Sequence, residues 1–291
     1  MLGVNLVRYA FLVAAAALPI AAGTPSAGCG KAPKLITAAA ASTPLNLTSG
    51  GQTRQYYVKL PENYDKDHQY RLILTLHALG GNGQLVTVGQ GGYLPWYGMP
   101  ALINDTTGAI YISPTGLNNG WWNTNGSDVE FIKAAMQAVE EDVCIDQNLR
   151  FSTGFSHGGA MSFILACALG KQLRAVGVLS GNPQISGSCP SPGTEPVAYY
   201  AEHGVADQVL PITGGRQMRD RFLKNNGCAD KTAAEPAKGS GTHIKTQYDC
   251  NPGYPVTWVA FDGDHTPQPK DKGASKTFAA DYTWEFFSQF K

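Results

Sequence analysis

Charge is scarce in this 291-residue chain: 15% of residues are charged, and 22 basic residues balance 22 acidic ones. Such a surface offers no basic field, which excludes nucleic acid and anionic membrane as electrostatic partners. Cysteine is limited to six residues, and no two stand at the short separations that zinc sites use. His243 lies alone in a Gly/Ser-rich stretch, so no metal site is expected. There is no internal repeat, no coiled-coil heptad and no Pro-rich or charge-rich linker that would divide the chain. With 43% hydrophobic residues, the remaining expectation is one sizeable globular core.

What is present begins with Arg8, the apolar run YAFLVAAAALPIAA and then small residues. That order predicts a secretory signal peptide over residues 1–22, cleaved between about 22 and 28, with the mature domain running from 28 to 291. The run is shorter than the roughly 20 residues a membrane span needs. Export into an oxidising compartment makes three disulfides the default for six cysteines. Cys144 enters the strand leading to Ser156, and the next helix returns about 16 Å to Cys167 at 1.5 Å per residue. This predicts the pairs Cys144–Cys167, Cys228–Cys250 and Cys29–Cys189. Sequons at Asn46, Asn104 and Asn125 suit surface loops of a secreted protein.

Beyond a Thr/Ala/Pro/Ser lead-in to about Ser49, β-rich runs alternate with helical ones. QYYVKLP, RLILTLHA, AIYISPTG, LRFSTGFS, AVGVLSG, PVAYYAEHG and VTWVAFDG read as strands. Several are apolar without alternation, as strands covered on both faces are. SDVEFIKAAMQAVEEDV, HGGAMSFILACAL, GGRQMRDRFLKNNG and FAADYTWEFFSQF read as helices. The fold class is therefore α/β, a mainly parallel sheet with helices on both faces, in a single domain. Residues 80–100 are Gly-rich and aromatic with no regular period.

GFSHG, between a strand and a helix, matches the G-x-S-x-G nucleophile elbow, where glycines let neighbouring backbone pass close and the serine points out of the sheet. A tight structural turn is the plainer alternative, and chemistry requires partners. A serine hydroxyl needs a histidine to take its proton and an acid to orient that histidine. On this fold they follow in the order Ser, acid, His. His265, in FDGDHTPQP beyond the strand VTWVAF, has the right place; His203 precedes any suitable acid. Asp207, in HGVADQVLP beyond the strand VAYYAEHG, reaches the same edge, although it would equally suit a cap. LHALGGNG follows RLILTL as an oxyanion loop does, so the amides of Ala78 or Leu79 would join that of His157. His77 braces this loop or simply fills the core.

GCGKAP, LPENYD, YRLILTLHALGG, STGFSHGGAMSF, AYYAEHGVADQVLP, GRQMRDRFLKNNGC and GDHTPQP together resemble secreted fungal feruloyl esterases of types C and D, relatives of polyhydroxybutyrate depolymerases and carbohydrate acetyl esterases. The resemblance implies an α/β hydrolase without a cofactor that cleaves hydroxycinnamate esters of plant cell-wall polysaccharide such as arabinoxylan or pectin. It puts Ser156, Asp207 and His265 at the triad positions. Ala78 stands where the wider family often has glycine. Tyr93, Trp96, Tyr97, Trp121 and Trp122 lie on two expected rim loops and would form an aromatic wall for a flat cinnamate, while core packing is the alternative for each. An acetyl xylan esterase or polyester depolymerase is the competing activity, and a catalytically silent fold that binds wall polysaccharide is the competing class.

Overall fold

A computed structural model describes residues 23–36, 41–103 and 108–291. The signal-peptide expectation at 1–22 and the sequon at Asn104 lie outside the described residues. The strands are β1 (Leu45–Ser49), β2 (Gln52–Lys59), β3 (Tyr70–Leu76), β4 (Ala109–Pro114), β5 (Ile145–Phe155), β6 (Ala175–Leu179), β7 (Ala198–Gly204), β8 (His243–Tyr248) and β9 (Val256–Phe261). They form one sheet in the order β1-β2-β4-β3-β5-β6-β7-β9-β8. Pairing is parallel from β4 through β9, and antiparallel where β1, β2 and β8 complete the edges.

All seven strands expected from the sequence form. β6 and β9 are buried at every position, which is why they show no alternation. Two edge strands were hidden: β1, in the lead-in, and β8, which is polar and begins at His243, in the Gly/Ser-rich stretch. One sheet face is covered by α2 (Ser127–Asp142), α3 (His157–Ala168) and α4 (Ile212–Asn225), whose Phe131, Ile164 and Phe222 join the larger core. The other face is covered by α5 (Ala279–Ser288) and by an aromatic segment following the short helix α1 (Gly83–Val88).

The disulfides are Cys29–Cys144, Cys167–Cys189 and Cys228–Cys250. Only the last matches expectation. Cys144 does lie at the start of β5, but the N-terminal segment reaches it first. Pro25 bridges Asp146, Thr24 N–H donates to Asp146 Oδ1 at 3.0 Å, and Ser26 Oγ donates to the Val143 carbonyl at 2.7 Å. Cys29 is thereby set beside Cys144. Cys167, at the end of α3, meets instead the loop after β6. Asn46 is exposed on β1, an edge strand rather than a loop, and Asn125 is exposed in the turn before α2.

Candidate active site

The sheet reverses its winding direction between β3 and β5, since β4 lies to one side of β3 and β5 to the other. Such a switch point opens a crevice beyond the carboxyl ends of the strands, where ligands of α/β sheets bind. Ser156 stands there, at the sharp junction of β5 and α3, with φ 58° and ψ −117°. That conformation costs a non-glycine residue on the order of 1–3 kcal/mol. It is held by Ser156 N–H donating to the Leu179 carbonyl and Ala160 N–H donating to the Ser156 carbonyl, both at 2.9 Å. The flanking glycines are steric necessities. A Cβ at Gly158 would run into the Leu76 carbonyl, and one at Gly154 would meet the Gly158 backbone at 2.5 Å.

Asp207 and His265 arrive from the ends of β7 and β9. His265 Nδ1 donates to Asp207 Oδ2 at 2.7 Å, and the imidazole packs on Phe155, the residue before Ser156, at 4.5 Å between centroids. Asp207 is enclosed. Its Oδ1 accepts from the Val209 and Leu210 amides at 2.9 and 2.8 Å, and His203 Nε2 stands 3.3 Å from Oδ2. Burial pushes this carboxyl up, but the hydrogen bonds from His203, His265 and Leu210 outweigh burial and hold it well below the ordinary carboxylate range. It is therefore an anion throughout the neutral range, able to fix a tautomer and to stabilise an imidazolium.

The loop after β3, expected from the sequence to carry oxyanion donors, is braced by side chains that the sequence suggested were substrate contacts. Ala78 N–H donates to Tyr93 Oη at 2.7 Å, so that amide is consumed and does not face the crevice as expected. The amides of Leu79 and His157 donate to no protein acceptor among the described residues. The His157 amide also sits at the N-terminus of α3, where the backbone dipole favours negative charge. His77 is fully buried: Nδ1 donates to the Ala78 carbonyl at 2.7 Å, and Nε2 accepts from Gly116 N–H at 2.9 Å. Burial lowers its pKa to about 4, so it stays neutral and serves as the brace.

Of the five aromatics expected to line the substrate site, four are buried. Tyr97 Oη donates to the Leu76 carbonyl at 2.6 Å and accepts from Phe155 N–H at 2.9 Å, pinning β3 to β5 where they part. Trp96 packs on Tyr111 in the core, Tyr93 holds Ala78, and Trp121 Nε1 donates to the His77 carbonyl at 2.8 Å. Three of the four, Tyr93, Tyr97 and Trp121, are scaffold because the hydroxyl or indole N–H finds a backbone partner inside, which satisfies an aromatic's polar atom without water. Trp122 alone stays open, 51% exposed and edge-on to His157 at 4.9 Å. Leu79 and Val209 are also exposed, at 57% and 63%. A Cβ at Gly120 would meet both Trp122 Nε1 and Leu79 Cδ1 near 3 Å, which places those two side chains together. Neither Val209 nor His203 was legible as a site residue, because their roles depend on which way the loop after β7 turns.

The chain and its fold match known proteins. The phospholipase/carboxylesterase family matches residues 62–246. Feruloyl esterase D of Neurospora crassa is 45% identical, over 98% of either chain. Feruloyl esterase C of Emericella nidulans is 45% identical, over 91% of this chain and 92% of its own. Among solved structures, an acetyl xylan esterase from Aspergillus awamori superposes with a TM-score of 0.59 at 13% identity, covering 84% of this chain and 99% of its own. A ferulic acid esterase from Anaeromyces mucronatus in complex with ferulic acid gives 0.57 at 15% identity, covering 85% and 89%. At such identities the superpositions speak for the fold, whereas the sequence matches speak for descent. The chain belongs to the phospholipase/carboxylesterase family and groups within it with the feruloyl esterases of types C and D.

Proposed function

We propose that this carboxylic ester hydrolase cleaves hydroxycinnamoyl esters of plant cell-wall polysaccharide outside the cell, with Ser156 as nucleophile, His265 as general base and Asp207 as the residue that orients it. The observation that carries the reading is the 2.7 Å Asp207–His265 contact, with its imidazole lying against the residue beside a strained serine. Ser156 Oγ attacks the ester carbonyl carbon as His265 Nε2 takes its proton. Asp207 holds the imidazole with Nδ1 protonated and balances the imidazolium as it forms. The oxyanion is received by the Leu79 and His157 amides, each donor worth on the order of 3 kcal/mol in the transition state. The imidazolium then protonates the departing sugar alkoxide, and water, activated by the same histidine, releases the acid.

The acyl ring has an open apolar surface to lie on: Trp122 and Leu79 on one side and Val209 on the loop after β7. Feruloylated arabinoxylan or pectin supplies the alcohol. One observation favours the acetyl xylan esterase as a second reading: only Trp122 of the five aromatics is exposed, which leaves a smaller aromatic wall than a cinnamate would use. The test joins labelling to specificity. Ser156→Ala should lose fluorophosphonate labelling and about 10³-fold or more of its turnover. Trp122→Ala should raise KM for methyl ferulate about fivefold, and leave that for a short acetyl ester unchanged. A higher kcat/KM on acetylated xylan than on methyl ferulate, p-coumarate and caffeate, per cleavable ester, replaces the feruloyl reading with the acetyl one.

A further inference from the structure

Behind the acid of the triad stands a second histidine for which the mechanism above has no use. His203, the penultimate residue of β7, is 1% exposed. Its Nε2 lies 2.7 Å from the Leu210 carbonyl and 3.3 Å from Asp207 Oδ2. A carbonyl can only accept, so Nε2 carries a proton whatever the charge of the ring, and that N–H is shared between Leu210 and Asp207. Leu210 in turn gives its own N–H to Asp207 Oδ1 at 2.8 Å. The histidine thus ties both the carboxylate and the peptide that cups it to the end of β7. The ring has been given room. It stacks on Trp258 of β9, and a Cβ at Gly215 of α4 would collide with Nδ1.

We propose that His203 is the positioning residue of the catalytic acid, holding Asp207 Oδ2 on the line to His265 and sharing its negative charge through Nε2–H. The proposal rests on the triad assigned above. Without His203, Oδ2 would keep one donor, His265 itself, and the carboxylate would be free to turn about its Cβ–Cγ bond. The charge left on Oδ2 would also be greater, and it would fall entirely on the His265 imidazole. Charged or titratable neighbours of Asp207 are few: His203 on β7, His265 after β9, and at the surface Asp264, whose Oδ1 accepts from Gln208 N–H at 2.9 Å.

The experiment compares His203→Phe and His203→Gln, the latter able to place an amide N–H near the position of Nε2. For His203→Phe, kcat for methyl ferulate should fall about 10- to 100-fold with KM little changed. That is well short of the about 10⁴-fold that follows when the acid itself becomes an amide and the wrong tautomer is favoured. The acidic limb of kcat/KM should also move to higher pH, because an anion relieved of one donor holds the imidazolium more tightly. His203→Gln should recover most of the rate and return the limb. Gly215→Ala, which crowds Nδ1 from α4 and leaves every polar group in place, should give a smaller loss and a limb displaced in the same direction, and it serves if the Phe variant does not fold. Wild-type rate and limb in the Phe variant, or in Gly215→Ala where that variant alone folds, overturn the proposal. So does a uniform loss at every pH, or a loss that Gln does not rescue, since either is the mark of packing alone. Fluorophosphonate labelling of Ser156 in each variant separates this outcome from failure of the triad: an unlabelled wild type would sink the nucleophile assignment, whereas a labelled wild type with an indifferent His203 sinks only the present inference.

Discussion

Glu202 precedes His203 on β7 and points to the opposite face, where Tyr200 Oη donates to its Oε2 at 2.7 Å. Its Oε1 is buried and has no hydrogen-bond partner among the described residues. Burial raises the carboxyl to about 8 from an ordinary 4.5, against the opposing effect of the tyrosine hydrogen bond. The sign of the linkage follows directly. The folded form keeps its proton where the unfolded chain has lost it, so stability is complete below the unfolded pKa and is lost as pH rises toward the folded one. From pH 5 to pH 7 the loss from this group is about 2–3 kcal/mol, at 1.36 kcal/mol per pH unit. Glu202→Gln remains neutral at every pH and keeps an oxygen for Tyr200, so this slope should vanish. For a chain of this size that amounts to a change of about 5 °C in the difference between the melting temperatures at pH 5 and pH 7. Differential scanning of both proteins at the two pH values, at matched ionic strength, reads the effect. The absolute offset between them reflects the new amide hydrogens, so the slope is the quantity to compare. Parallel pH dependences in the two proteins would refute the claim that a neutral carboxylic acid lies under α5.

Asp207→Asn should lower kcat by about three to four orders of magnitude with KM nearly unchanged. The same carboxylate contributes stability present above its unfolded pKa and lost on acidification below it, so the variant should also show a shallower acid transition by circular dichroism. Tyr93→Phe leaves the Ala78 N–H without its acceptor; about 1–3 kcal/mol of stability should be lost, together with kcat rather than KM, and an unchanged kcat would remove Tyr93 from the support of the oxyanion loop. Non-reducing peptide mapping should join Cys29 to Cys144 and Cys167 to Cys189. N-terminal sequencing of the exported protein should begin at or before Thr24, since a start at 28 would discard the Thr24 and Ser26 contacts to β5.

The elements that read directly from the sequence are those fixed by local pattern. Strands buried on both faces announce themselves as unbroken apolar runs, and the elbow needs Gly154 and Gly158 at fixed distances from Ser156. Chain order, together with a place directly beyond an apolar strand, which His243 in its polar stretch lacks, then narrowed six histidines to His265. Burial is another matter. Tyr93, Trp96, Tyr97 and Trp121 differ from Trp122 only in the direction the loops take, which is set by contacts made from distant strands. Cys144 was rightly placed at the lower edge of the sheet, but nothing local revealed that residues 24–29 would run along β5 and bring Cys29 there. Polar edge strands such as β8 carry half the apolar signal of an inner strand. His203 was passed over because chain order removed it as a general base, although its position next to the last residue of a buried strand fits support of the acid that follows.

All three disulfides lie on one side of the molecule. Cys144 precedes β5, Cys167 closes α3, Cys228 follows α4 and Cys250 precedes β9, so every bridge is at the edge of the sheet opposite Ser156. The covalent constraints therefore gather in the base, and the rim is held by packing and hydrogen bonds, among them Gln268 Nε2 to the Gly92 carbonyl at 2.6 Å. Local opening should begin at that rim, with amide hydrogens of the loops after β3, β7 and β9 exchanging well before those of β5 and β6. A feruloyl esterase gains from such a division of labour: the crevice can breathe to admit and release a bulky ester while the base keeps the chain from unravelling.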